Sequence, residues 1–145
     1  MNLDDIKKMV EKDSVVDQTL LDQEALKTPQ IHSKYLNFLN DEILKFKKLE
    51  TEYKQLFRLK WEYYTGKLDK EELDRLEWEP FQHKILRQDV HIYLDSDTEL
   101  CLIRDRKAYS ETKVKYLEDV IKSINNRNWH IRNAIEWRKF MHGGH

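Results

Sequence analysis

Residues 28–66 read TPQIHSKYLNFLNDEILKFKKLETEYKQLFRLKWEYYTG, and they have the pattern of one long helix. Thr28 can cap a helix, and Pro29 suits the first helical position, where its missing N–H would have no partner. No further Gly or Pro occurs before Gly66, which is placed like a C-terminal cap. Apolar residues recur at steps of mostly three and four, at Leu36, Leu39, Ile43, Phe46, Leu49, Tyr53, Leu56 and Tyr63. The pattern predicts one long helix over about 29–65 with a packed side.

A second long helical segment is predicted over about 97–141. The sequence Ser96-Asp97-Thr98-Glu99 has the form of a capping box. A heptad seam follows at Val114, Leu117, Ile121, Ile124, Asn128, Ile131 and Ile135. Such spacing is typical of helices that pair, and we interpret these seven residues as the oligomerisation surface. On that interpretation, charged residues at 121 and 131 should yield smaller species. The alternative is a helix pair within one subunit.

The remaining segments are short. Residues 3–13 have helical spacing, and Asp69-Lys70-Glu71-Glu72 is a capping box that opens a helix ending at Leu76. Residues 15–21 and 81–94 stay open between extended and helical structure, and the adjacent Asn125 and Asn126 could break the C-terminal helix. The sequence therefore predicts an all-α fold: a single helical domain, 1–145, forming an elongated subunit with two long helices.

Composition places limits on the class of protein. The chain has 145 residues, 37% of them charged, yet it carries 4 Trp, 7 Tyr and 5 Phe, which is unlike a disordered chain. One cysteine permits no internal disulfide and suits a reducing compartment. No run approaches the roughly 20 apolar residues that span a bilayer, and the N-terminus lacks the pattern of a signal peptide. We expect a soluble intracellular protein without a membrane partner.

Charge is unevenly distributed along the chain, although the net charge is only −1. Residues 28–67 carry 8 basic and 5 acidic groups, and residues 101–145 carry 10 and 5. Residues 68–100 between them carry 4 and 10. This asymmetry suits an anion-binding face on an acidic body, although ordinary solvated helix surfaces would explain the charges equally well.

No pattern in the sequence indicates catalysis. A Gly-rich phosphate loop, a nucleophile elbow and a spaced Cys/His metal set are all missing from the sequence. The six histidines lie at spacings unlike any zinc motif. We therefore expect a protein that is not an enzyme and that uses neither a metal nor another cofactor.

Residues 53–67, YKQLFRLKWEYYTGK, interleave cations with aromatic side chains. Cations neutralise phosphates, and aromatic rings can stack on unpaired bases, so the segment is a candidate site for single-stranded DNA. The candidate residues are Lys54, Arg58, Lys60, Tyr63, Tyr64 and Lys67. Core packing of the aromatic rings, with cations on the surface, is the alternative.

Lys60 is the most unusual of these residues, because it occupies a seam position between Leu56 and Tyr63. A dry buried cation is costly, so its ammonium should face a wet channel or an anion. Leucine at this position would complete the seam, and should then keep or raise thermal stability. Arg58 projects roughly 160° away from Lys60 on an unbroken helix, so one subunit cannot aim both at one strand unless the helix bends.

Several segments together carry a family resemblance. They are Glu11-Lys12-Asp13 with Asp17, Ser33-Lys34-Tyr35-Leu36-Asn37, Tyr63-Tyr64-Thr65-Gly66-Lys67, Ile121-Lys122-Ser123 and Trp137-Arg138-Lys139-Phe140. In order and spacing the chain resembles the UvsY-type recombination mediators of T-even-like phages, most closely the cyanophage versions. The resemblance covers essentially the whole chain.

The resemblance implies an all-helical subunit that assembles into a ring-like homo-oligomer in the cytoplasm of an infected bacterium. It implies binding to single-stranded DNA, remodelling of the phage single-strand-binding protein, and loading of a RecA-like recombinase of the UvsX type. The family's DNA-binding cation pair falls on Arg58 and Lys60, with Arg and Lys exchanged, and its C-terminal assembly helix falls on the heptad seam. A structural coiled-coil adaptor that binds only protein is the competing hypothesis.

Overall fold

Five α-helices and one 3₁₀ turn make up the fold, as the computed structural model, which describes residues 1–143, shows. Within those residues there is no β-strand. The helices are α1 (Leu3–Asp13), α2 (Leu21–Tyr64), α3 (Lys70–Leu76), α4 (Val90–Ser96) and α5 (Thr98–Met141), and the 3₁₀ turn is Arg87–Asp89. The predicted all-α fold with two long helices is confirmed. None of the helices within residues 1–143 is both long and apolar enough to cross a membrane.

Side-chain caps begin three of the helices. Asn2 accepts a hydrogen bond from the Asp5 amide at 2.8 Å and opens α1. Asp69 accepts from the Glu72 amide at 2.8 Å, as the capping box predicts. Asp97 accepts from the Leu100 amide at 2.9 Å, so α5 starts where the sequence indicates. These signals are local, and each places a helix end directly.

The predicted start of α2 at Thr28 is wrong, because the helix begins at Leu21 and Pro29 lies inside it. A proline within a helix removes one backbone hydrogen bond and crowds the preceding turn. Here Arg127 of α5 supplies polar partners at that turn. Its guanidinium donates to the Glu24 carbonyl and, at 2.7 Å, to the Thr28 hydroxyl. Packing against α5 therefore stabilises a helical turn that local sequence disfavours.

The structure assigns the segments that the sequence left open. Residues 15–20 contain neither helix nor strand, and Leu21 already belongs to α2. Residues 81–86 have no regular secondary structure, and the 3₁₀ turn and α4 follow them. The C-terminal helix is continuous through residues 124–127. The chain divides into two compact units, and both long helices contribute residues to each unit. Unit 1 comprises residues 1–43 and the chain from Glu111 onward, and unit 2 comprises Leu44–Ser110.

Unit 1 is built around an apolar core shared by α1, α2 and α5. The buried members are Ile6, Tyr35, Leu39, Leu117, Val120 and Ile124. Val114 and Ile121 pack against this core, and Ile131 is 3% exposed. The heptad seam thus packs largely inside the subunit, as the intramolecular alternative proposed. Asn128 is exposed, and its side-chain oxygen accepts a hydrogen bond from the Thr28 hydroxyl at 2.6 Å.

Buried ion pairs also connect α2 and α5 within unit 1. Arg127 Nη2 lies 2.6 Å from Glu24 Oε2, and Lys113 Nζ lies 3.1 Å from Glu42 Oε2. All four side chains are largely buried. Buried pairs contribute specificity of pairing more reliably than net stability, because removing either partner leaves an uncompensated charge. They define which side of α5 faces α2 in this unit.

Candidate nucleic-acid interface

A row of exposed cations lies on the α2 portion of unit 2. Lys47, Lys54 and Arg58 are exposed and fall seven and four residues apart, which places them on one side of the helix. The Arg58 side chain is 83% exposed, and its Nε donates to Glu62 Oε1 at 3.2 Å. An exposed pair of this kind is worth little. The guanidinium can therefore exchange Glu62 for a phosphate at small cost.

Lys60 has a different environment from the other predicted cations. Its side chain is only 8% exposed, and its Nζ lies 3.1 Å from Asp97 Oδ2 and 3.5 Å from Glu99 Oε1. The ammonium also lies 4.2 Å from the centroid of the Trp78 ring. Of the two environments expected from the sequence, a wet channel or an anion, Lys60 meets an anion, and that anion is Asp97 of the same subunit. A phosphate contact would require this pair to break.

Asp97 collects three hydrogen-bond donors at the start of α5. It accepts from the Tyr64 hydroxyl at 2.6 Å and from the Leu100 amide, and it pairs with Lys60. Burial acts to raise the pKa of Asp97, but these three donors outweigh burial and hold the pKa below its ordinary value of 3.8. Burial, together with the bond to Asp97, raises the pKa of Tyr64. Asp97 is thus an ionised carboxylate at neutral pH.

Tyr63 and Tyr64 belong to an aromatic cluster that holds the linker between α3 and α4. Tyr63 lies 5.3 Å from Trp78 between ring centroids, and Tyr64 lies 5.0 Å from Phe81. Tyr93 of α4 lies 5.3 Å from Phe81. The Tyr63 hydroxyl donates to the Glu79 carbonyl at 2.6 Å. Both tyrosine rings are half-buried and act first as packing for this linker.

Lys67 lies just beyond the C-terminus of α2. Gly66 adopts a φ of +73°, a left-handed conformation that glycine accommodates easily. The Lys67 amide donates to the Glu62 carbonyl at 2.8 Å, so the chain folds back on the last turn of the helix. The Lys67 ammonium then lies 4.2 Å from the centroid of the Trp61 ring. The side chain stays exposed and can reach an anion.

The six predicted DNA-binding residues therefore divide into two groups. Lys54, Arg58 and Lys67 are exposed, whereas Lys60, Tyr63 and Tyr64 are packed inside unit 2. Sequence reasoning did not assign a role to Trp78 and Phe81, which the structure places against the end of α2. Trp78 and Phe81 lie on either side of Glu79-Pro80, in a segment whose structure the sequence left uncertain. Two large aromatic residues in such a segment were the signal that it packs against a helix.

The C-terminal part of α5 exposes a group of large apolar side chains. Trp129, Trp137, Phe140 and Met141 are each at least 60% exposed. This surface, rather than the packed heptad seam, leaves apolar area uncovered in the subunit. Among residues 1–143, no group of three or more His, Cys, Asp or Glu side chains could hold a metal ion.

Comparison with known proteins agrees with the fold and with the sequence resemblance. A family model described as recombination, repair and ssDNA binding protein UvsY matches residues 9–144. The recombination protein uvsY of Enterobacteria phage T4 is 22% identical over 143 residues, covering 99% of each chain.

Solved structures share the fold. The crystal structure of the bacteriophage T4 recombination mediator protein UvsY in lattice type II superposes with a TM-score of 0.85 at 21% identity, covering 99% of both chains. The same protein in lattice type IV gives 0.82 at 20% identity, covering 97% of this chain and 99% of that one. With a family model matching nearly its whole length, the chain belongs to the UvsY family of recombination and repair proteins.

Proposed function

We propose that the protein binds single-stranded DNA and acts as a recombination mediator, loading a RecA-like recombinase onto strands covered by single-strand-binding protein. The observation that carries the proposal is the row of exposed cations on α2, Lys47, Lys54 and Arg58, in a member of a family described as binding single-stranded DNA. Each phosphate contact releases condensed counterions, which favours binding. A net charge of −1 concentrates this attraction on the basic surface rather than on the whole molecule.

In this proposal the protein works by binding rather than by catalysis, and it works as a homo-oligomer with ring-like symmetry. Repeating the cation row in every subunit multiplies the phosphate contacts made by one strand. The exposed apolar end of α5, with Trp137 and Phe140, is the surface we assign to subunit contacts. The partners of the whole protein in this proposal are the phage recombinase of the UvsX type and the phage single-strand-binding protein, in the cytoplasm of the infected host.

DNA binding is tested with a fluorescent oligonucleotide titrated at several salt concentrations. Arg58→Ala and Lys54→Ala should each lower the affinity. They should also reduce the salt slope, the steepness with which the logarithm of the binding constant falls with the logarithm of salt concentration, by about 0.7 for every phosphate that the variant no longer neutralises. Lys8→Ala removes another exposed lysine, from α1, and is the matched control. Equal effects of Arg58→Ala and Lys8→Ala would contradict the assignment of the α2 surface.

The mediator step is tested by recombinase activity on single strands already covered by single-strand-binding protein. The wild type should shorten the lag before DNA-dependent ATP hydrolysis, and Arg58→Ala should shorten it less. A protein that binds no oligonucleotide at any salt concentration, yet still binds the recombinase, would be the structural adaptor instead.

A further inference from the structure

A cavity of about 650 Å³ lies in unit 2, between the C-terminal end of α2 and the linker that precedes α4. Its volume falls in the range of small-molecule binding pockets, about 300–1,000 Å³. Aromatic rings and cations dominate its lining, through Trp61, Tyr64, Phe81, Lys67, Lys84 and Arg87. No carboxylate side chain is among the described residues that line it.

The aromatic wall of this cavity offers a stacking surface. Trp61 is half-buried, and the ammonium of Lys67 covers its ring at 4.2 Å. An ammonium over an indole is attracted by the ring's negative face, but at an exposed site this is worth only about 0.5–1 kcal/mol. A flat aromatic ligand can displace it, because base–aromatic stacking is worth about 1–3 kcal/mol.

The cations of the cavity are available to an anion. Lys67, Lys84 and Arg87 are exposed, and none of the three forms an ion pair with another residue of the described chain. Lys84 and Arg87 come from the linker, whereas Lys67 follows α2, so three positive charges approach one cavity from two segments. A phosphate at the mouth of the cavity would meet several of them together.

We propose that this cavity binds one nucleotide of a single-stranded DNA, with the base stacked on Trp61 and the phosphate held by Lys67, Lys84 and Arg87. The inference rests on the proposed DNA-binding function and gives it a site for bases as well as phosphates. A base enters only when it is unpaired, so the cavity selects single strands over duplex. Every base has an aromatic face, so the cavity does not select sequence.

The inference is tested by comparing an oligothymidylate with an abasic strand of the same length at one salt concentration. Wild type should bind the strand with bases about tenfold more tightly, a typical effect of base–aromatic stacking. Trp61→Leu should lose this preference, and Trp61→Phe, which keeps an aromatic ring, should retain most of it. An unchanged preference in a folded Trp61→Leu variant overturns the stacking assignment.

The cations provide a second test that does not depend on the core. Lys84→Ala combined with Arg87→Ala changes only exposed side chains, so the variant should fold normally. It should weaken binding of both strands and lower the salt slope, while leaving the preference for bases intact. Arg75→Ala combined with Lys70→Ala, on α3 and outside the cavity lining, is the matched control. Equal binding by the two double variants overturns the phosphate assignment.

The outcomes separate this inference from the function on which it rests. If wild type binds neither strand, both the proposed function and the cavity assignment fail. If Arg58→Ala weakens binding while the cavity variants bind like their controls, only the cavity assignment fails. A crosslink from an oligonucleotide carrying 5-iododeoxyuridine should fall on the peptide containing Trp61 or on the one containing Phe81.

Discussion

Replacing Lys60 by leucine should destabilise unit 2, contrary to the sequence-based expectation that stability is kept or raised, because Lys60 pairs with the buried Asp97. The substitution leaves Asp97, whose side chain is 4% exposed, without its nearest cation. Removing one partner of a buried pair typically costs about 3–5 kcal/mol. Asp97 keeps its hydrogen bonds from Tyr64 and the Leu100 amide. We therefore place the cost near the lower end of that range, at about 3 kcal/mol.

Thermal unfolding of the full chain measures this cost. For a protein of this size, about 3 kcal/mol corresponds to a fall in Tm of roughly 10 °C. Lys60→Leu combined with Asp97→Asn removes both charges and keeps the cap of α5, so it should recover part of the stability. The coupling energy of this double-mutant cycle should be about 1–3 kcal/mol. Arg58→Ala, at an exposed position, should stay within about 0.5 kcal/mol of wild type.

DNA binding by the same variant separates a structural lysine from a phosphate ligand. Lys60→Leu should weaken binding through disturbance of the linker while leaving the salt slope unchanged, because the same number of phosphates is still neutralised. A variant as stable as wild type, with a reduced salt slope, would refute this reasoning and return Lys60 to the DNA-binding surface.

Three further predictions concern the packed ionic and apolar groups. Glutamate at both Ile121 and Ile131 should unfold unit 1 and so lower the helical circular dichroism signal of the whole chain, and folded smaller species on sedimentation would contradict this. Because the pKa of Asp97 is lowered on folding, its contribution to stability is present above pH 3.8 and is lost as pH falls through the folded pKa, so Asp97→Asn should flatten acid unfolding curves. Arg127→Leu should lower stability by about 3–5 kcal/mol in urea titrations, and adding Glu24→Leu should restore much of it. A double variant no more stable than Arg127→Leu would contradict this reasoning.

Local signals in the sequence were sufficient to place most helix ends. The capping residues Asp69 and Asp97 each contact an amide three residues away. Both partners of the interaction therefore lie within the short sequence pattern that predicts it. The start of α2 depends instead on Arg127, which donates to Glu24 and Thr28 from about a hundred residues away. That contact stabilises the turn that contains Pro29, and it lies too far away in the sequence for a local pattern to predict it.

The candidate site divides in the same way: its features that depend on local sequence could be predicted, and those that depend on distant residues could not. The exposed cations Lys54 and Arg58 follow from helical periodicity, which shows that they share a side. The partner of Lys60 is Asp97, 37 positions further along the chain, and periodicity cannot find it. The heptad seam likewise shows that α5 has an apolar side, but it cannot show whether α2 or another subunit covers that side.

Asp97 caps α5, accepts the Tyr64 hydroxyl and pairs with Lys60, and these three roles together restrict how the position can evolve. A glutamate there would keep the negative charge but reach past the Leu100 amide, whereas an asparagine would keep the cap and the Tyr64 bond but leave Lys60 without its counter-charge. Glutamate and asparagine can each arise from aspartate by a single base change, and neither substitution should leave stability unchanged while Lys60 is present. Positions 60 and 97 should therefore covary among relatives, with charge appearing or disappearing at both together, and drift at either one alone should be rare.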